Sequence, residues 1–260
     1  MQNKVVYAIL FLFFAANAST VQAQFDAGVA GGISIPNLTT SGSDNNPLNT
    51  GYSSRLGPEF GLVAEYHISK LFSLAGKLVY SSQGGKKDGL QAFATPSGLG
   101  QYFQSQGLVP PTYLYANYKS EARLNYLRLP VLGKIGWDLG GSHFRVAVAA
   151  GPFVGFLLSA KQVTSGNSGI YLDMADKQPL PVGSQSFDQK TDIKDQLNKV
   201  NFGADGNISL AYAFRSRDIL FVEAGGNYGI INIQKGSANG KNNTGAATLL
   251  LGYACRFRCK

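Results

Sequence analysis

Two imidazoles, His67 and His143, are the only histidines in the 260-residue chain, so general-base chemistry near neutral pH would have to use one of them. Neither stands in a spacing that brings a nucleophile or metal ligands with it. The sequence has no HExxH, no nucleophile elbow and no paired CxxC. The stretch Gly236-Ser237-Ala238-Asn239-Gly240-Lys241-Asn242 approaches a phosphate-cradling loop. It is one residue short, and Asn242 stands where a Ser or Thr hydroxyl is needed, so it reads better as a hairpin loop. Cys255 and Cys259 would lie about 13 Å apart on one strand, at about 3.3 Å per residue. That is too far for a disulfide unless the chain turns after Phe257, and the spacing is no metal signature by itself. No catalytic residue, metal site or cofactor is therefore assigned, and a non-enzymatic protein is expected.

The chemistry the sequence does offer is charge at alternate positions. Glu59, Glu65, Lys77, Arg128, Lys134, Arg145, Asp205, Glu223 and Arg256 each share one face of an alternating run with small or polar residues. The other face is apolar, as in Phe60, Leu62, Ala64, Tyr66 and Ile68, or Ala247, Leu249, Leu251 and Tyr253. Eight such runs recur: 25–35, 56–68, 71–83, 123–137, 143–158, 199–214, 219–233 and 244–258. A period of two means strands. Most runs are longer than ordinary soluble strands, as tilted membrane strands are.

Which face meets water follows from composition. Charged residues are 15% of the chain, against about 25% in soluble domains. A soluble barrel with its apolar face inside would need a far more charged outside. A membrane barrel inverts this, with an apolar band outward and a polar lumen. Connector lengths agree. Short gaps near 69–70, 138–142 and 215–218 alternate with long ones at 36–55, 84–122, 159–198 and 234–243. Rings such as Phe25, Tyr66, Phe72, Trp137, Phe144, Tyr212, Phe214, Tyr253 and Phe257 cluster near the short turns, where interfacial girdles sit. The expected fold is all-β: an eight-stranded antiparallel up-and-down transmembrane β-barrel with four long outer loops and three short periplasmic turns. Such a bore is just wide enough for side chains to fill. The nine charges are expected to form an ion-pair plug, with a gated narrow pore as the alternative.

Ahead of the barrel, Lys4, the apolar run from Val5 to Ala16 and the small-residue end Val21-Gln22-Ala23 have the three parts of an export leader. The run falls short of the roughly 20 residues a membrane helix needs. Cleavage is expected after Ala23, or alternatively after Ala18, which gives a leader over 1–23 and a barrel domain over 24–260. No Cys near the cut marks a lipid anchor. The net charge of +8 is spread without a basic helix or arm, so nucleic acid is not an expected partner. The expected partners are outer-membrane lipid and, through loops 36–55, 84–122 and 159–198, another envelope protein or a surface glycan, with the barrel itself a monomer. A catalytic cluster on an outer rim, acting on lipids or peptides, is not legible.

Several segments resemble one family. These are Gly28 to Ile35 (Gly-Val-Ala-Gly-Gly-Ile-Ser-Ile), Tyr80 to Lys87 (Tyr-Ser-Ser-Gln-Gly-Gly-Lys-Lys), and above all Leu124 to Lys134 (Leu-Asn-Tyr-Leu-Arg-Leu-Pro-Val-Leu-Gly-Lys) followed by Gly151 to Leu158. The spaced Gly203 and Gly206, and Asn227 to Ile233, extend the likeness across most of the mature chain. In order and spacing they resemble the PorT-like outer-membrane β-barrel proteins typical of Bacteroidetes. The resemblance implies an eight-stranded outer-membrane barrel without one shared activity; PorT itself is linked to a protein-secretion apparatus. The chain departs from the usual aromatic C-terminus, since Arg258-Cys259-Lys260 follow Phe257.

Overall fold

The computed structural model describes residues 24–40, 46–215, 217–236 and 240–258. The expected leader and both cleavage positions lie outside these residues, as does Cys259. Twelve strands are described: β1 (Gln24–Thr40), β2 (Gly57–His67), β3 (Phe72–Ala94), β4 (Tyr113–Asp138), β5 (Phe144–Ser165), β6 (Asn167–Ser168), β7 (Ile170–Tyr171), β8 (Gln185–Ser186), β9 (Gln189–Asp192), β10 (Val200–Ala213), β11 (Asp218–Gly229) and β12 (Asn242–Arg258). One helix, α1 (Ser97–Ser105), lies between β3 and β4.

Eight of the strands form a ring. β1 pairs antiparallel with β2 on one side and β12 on the other. The ladder continues through β3, β4 and β5, then β10 and β11, back to β12. Closure leaves no sheet edge in the lipid, where an unpaired N–H or C=O would cost several kcal/mol.

Strand parity sets what each side chain meets. On β1, Asp26, Ala30 and Ser34 are buried in the bore, while Phe25, Val29, Ile33 and Ile35 are exposed. The other ring strands repeat the pattern, and the exposed belt contains Leu62, Leu74, Val131, Val148, Leu210, Val222 and Leu251. Among the described residues, no outward position of this belt carries a charge. On β4 the belt runs from Trp137 to Leu127, about 33 Å at about 3.3 Å per residue. A strand tilt of about 40° reduces that to about 25 Å, the height of a barrel's lipid-facing band. Charge returns outside these limits, at Lys70 and Arg215 below and at Glu121, Arg123 and Lys161 above.

The three lower turns are short because their backbones close directly. Ile68 N–H donates to Phe72 C=O at 3.0 Å, Leu139 N–H to Phe144 C=O at 2.9 Å, and Phe214 N–H to Asp218 C=O at 2.8 Å. In the second turn Gly140 and Gly141 take positive φ, +51° and +72°, a backbone that side chains with a Cβ rarely adopt.

The upper side differs from the expectation in its boundaries. The segment 84–122, expected as a loop, is largely strand. β3 runs on to Ala94 and β4 begins at Tyr113, in continuous register from Gly84↔Arg123 to Ala94↔Tyr113. Similarly β1 extends to Thr40, pairing with β12, and β5 extends to Ser165. Above the lipid the outward face is polar, so the lipid-facing pattern ends: on β4 the alternation inverts, with Leu114, Tyr118, Leu124 and Tyr126 buried and Asn117, Lys119 and Arg123 exposed, while cross-strand hydrogen bonds do not need an apolar outer face. Before β10 the long connection makes a 3-10 turn at Lys194–Gln196.

This raised hairpin carries a core of its own. Phe103 of α1, Leu114, Ile170 and Leu180 pack together, with Phe93, Val182 and Phe187 against them. The Tyr118 and Phe187 rings stack at 4.5 Å. The long connection after β5 thus folds back onto the hairpin as a platform.

The two zones respond differently to the same change. Leu251→Arg, near mid-belt, is expected to destabilise the barrel by about 2–4 kcal/mol. Val109→Arg, 90% exposed on the platform, is expected to stay within about 0.5 kcal/mol. Urea titration of vesicle-folded protein reads both, and equal effects would contradict the assignment of the belt to lipid.

Candidate functional site

Among the described residues, the bore is where the ring brings many charged groups together, and it does so in tiers. In the upper tier, β4 sets Arg128 inward, almost fully buried. Its guanidinium donates to Glu59 on β2 and to Asp205 on β10, each at 2.8 Å. The other Glu59 oxygen accepts from Ser81 on β3 at 2.6 Å. The face of Phe153 lies 5.3 Å from the guanidinium carbon, an aromatic partner that suits a planar cation. Phe153 fits because its β10 neighbour is Gly203, where an added Cβ would come within 2.5 Å of the ring.

Lys77 on β3 and Glu223 on β11 form the middle tier, joined by an ion pair. These strands are four apart in the eight-strand ring, so this contact crosses the full bore. The lower tier lies nearer the short turns. Lys134 donates to Glu65 at 2.7 Å, and Ser73 donates to the other Glu65 oxygen at 2.5 Å. Arg256 grips Asp26 with two hydrogen bonds, at 2.8 and 2.9 Å. His67 Nε2 lies 2.7 Å from Asp26, and its Nδ1 lies 3.8 Å from Glu65. Arg145 sits at the rim, donating to Asp138 and to the Lys70 carbonyl, each at 2.8 Å. Gly136 beneath it leaves the space, since a Cβ there would meet the guanidinium at 2.6 Å.

Eight of the nine charges singled out from the sequence therefore lie within the bore, and Arg145 caps its lower mouth. Asp26 and Asp138, which are not among the nine charges expected from the sequence, are partners in this network. His67, on the same polar face of β2 as Glu59 and Glu65, belongs to the lower tier. The parity of β1 carried the signal for Asp26, which shares its face with Gly28 and Ala30. Asp138 closes a local pair with Arg145 across a hairpin. His143 lies at the second lower turn with its ring 5.8 Å from Tyr212.

Asp26, Glu65 and His67 have ligand atoms within 4.8 Å of one another, so a metal ion deserves a test of chemistry. Both carboxylates are already neutralised, Asp26 by the fork of Arg256 and Glu65 by Lys134. A divalent cation would have to displace or face two cations. The set fits a salt-bridge network better than a metal centre.

A family model for the outer membrane protein beta-barrel domain matches residues 14–235. No curated protein matches the sequence. Solved structures similar to this chain include Ail, the attachment invasion locus protein of Yersinia pestis, at 12% identity, covering 89% of this chain and 98% of that one with a TM-score of 0.36. OprG from Pseudomonas aeruginosa shares 11% identity, covering 91% and 96% with a TM-score of 0.37. A major outer membrane protein from Thermus thermophilus shares 13%, covering 91% and 100% with a TM-score of 0.42.

The upper tier is the sharpest point for perturbation. Arg128→Met leaves Glu59 and Asp205 without their cation and is expected to cost about 3–5 kcal/mol. Adding Glu59→Gln and Asp205→Asn is expected to restore most of that loss, because the neutral trio no longer buries uncompensated charge. Denaturant unfolding of the single and triple variants in vesicles checks this. A triple variant as unstable as the single one would mean that Arg128 acts through packing alone.

Proposed function

The chain belongs to the outer membrane protein beta-barrel domain family, and from that premise we propose that it is a non-enzymatic membrane anchor whose raised outer platform captures another envelope protein or a surface glycan. The observation carrying this reading is the platform itself. β3 and β4 continue past the lipid belt, and a separate apolar core ties α1 and the connection after β5 to them. An ordered surface of this size is more than a hairpin closure requires, and outer loops held on a rigid scaffold are where binding residues concentrate. Leu108, Val109 and Met174 are exposed on it.

The pore reading gains less support. The Lys77–Glu223 pair crosses the bore, and the Arg128 tier spans it above. Opening a path would mean separating charges in a low-dielectric lumen, at a cost of several kcal/mol. Closer kinship to PorT, and with it a part in protein secretion, rests on the sequence motifs alone.

A direct test replaces 89–118 by Asn-Gly, which makes a two-residue hairpin between the register partners Asp88 and Lys119. The shortened protein is expected to fold and insert like the intact one. Cross-linking on whole cells is expected to yield a partner adduct with the intact protein and to lose it with the shortened one. No adduct with the intact protein, or one retained after the excision, would overturn the proposal.

A further inference from the structure

Between the ion-pair tiers and the platform, the mouth of the barrel contains a cavity of about 250 Å³. Its apolar surface comes from Leu38, Leu124, Leu197 and Ile233, which belong to one buried cluster above the Arg128 tier. Its polar surface includes Lys87 and Gln91 of β3 and Gln162 of β5.

Lys87 sets this cavity apart. The residue is only 8% exposed, although it lies beyond the lipid belt, paired in register with Ser120. Its ammonium donates to the Leu48 carbonyl at 2.8 Å and lies 4.5 Å from the centre of the Tyr52 ring. Among the described residues it enters no ion pair, and no Asp or Glu lines the cavity. The inward cations Arg128, Lys77, Lys134 and Arg256 each hold a carboxylate. Burial without such a partner pushes the pKa of the Lys87 ammonium down to about 8. A buried cation is tolerated when something compensates it, and one carbonyl with one ring is weak compensation beside a carboxylate.

We propose that this cavity binds a small organic monocarboxylate, with its carboxylate on Lys87 and a short apolar body against Leu38, Leu124, Leu197 and Ile233. The charge count and the surface select the class. A single cation matches a single negative charge, whereas a phosphate dianion would bring a second charge with no partner. The apolar surface favours a carbon body over a bare inorganic ion. The volume lies below the range of about 300–1,000 Å³ for drug-sized pockets, so the ligand is small. A carboxylate there would complete a charge-assisted hydrogen bond, stronger than a neutral one.

Benzoate is the probe, with the neutral benzamide and inorganic phosphate as comparisons. Each is titrated calorimetrically into the full-length protein in phosphatidylcholine nanodiscs, with empty nanodiscs subtracted. Benzoate is expected to bind at least about tenfold more tightly than benzamide or phosphate. Lys87→Met is expected to weaken benzoate by at least about tenfold, and Lys87→Arg to retain it. Lys161→Met, which removes an exposed charge on β5, is expected to change nothing. Absence of benzoate binding, equal binding of benzamide, phosphate as the preferred ligand, or full binding by Lys87→Met would each overturn the proposal. Should Lys87→Met not fold, Lys87→Gln takes its place, and the comparison of benzoate with benzamide on the unaltered protein remains decisive.

Discussion

Closing eight strands into a ring leaves a bore only as wide as the side chains that fill it, and every inward residue must satisfy its neighbours within that space. Charges placed there have little access to bulk water and must find opposite charges or hydrogen bonds. The tiers from Glu59–Arg128–Asp205 down to Asp26–Arg256 answer that requirement. They also tie together strands distant in sequence. Arg128 joins β2 to β10, and Lys77 joins β3 to β11. The lumen network therefore cross-braces the wall from inside, while backbone ladders hold it along its circumference.

The same ring crosses two solvents, and each zone follows its own rule. Within the belt the outward face must be apolar, because lipid offers no hydrogen bonds, and the charges are driven inward. Above Leu127 the strands leave lipid for water, and the rule relaxes. Glu121 turns outward there and pairs with Arg55 and Arg123, each at 2.6 Å. The apolar residues of the hairpin turn toward the platform core instead, where Phe93 and Tyr118 meet Phe187. One pair of strands is thus a membrane wall below and a scaffold for a soluble-type core above.

Lys87 stands at the junction between these zones. It is far enough inside to lose water and far enough above the plug to miss its carboxylates. That position, rather than any local motif, gives it a different chemistry from the neighbouring Lys86, which is exposed on the opposite parity of the same strand.

Sequence alone determined the features governed by parity and by solvent. Alternation assigned the ring strands and placed Glu59, Lys77, Arg128 and Glu223 on the inward face, because a pleated strand turns successive side chains to opposite sides. Low charge and an uncharged apolar face selected lipid as the outer solvent, and connector lengths ordered the hairpins. Only the tertiary structure decided who pairs with whom. Lys77 and Glu223 are 146 positions apart, and nothing local links them until the ring closes. Asp26 entered the network only when β12 brought Arg256 beside it. The platform was equally hidden, since the lipid-facing pattern stops where the outside becomes water: 84–89 carries no apolar side chain, and from Leu114 to Tyr126 the alternation inverts, apolar side chains turning inward and polar ones outward. For the same reason the sequence placed Lys87 in a loop, and its burial could be read only from the packed mouth of the barrel.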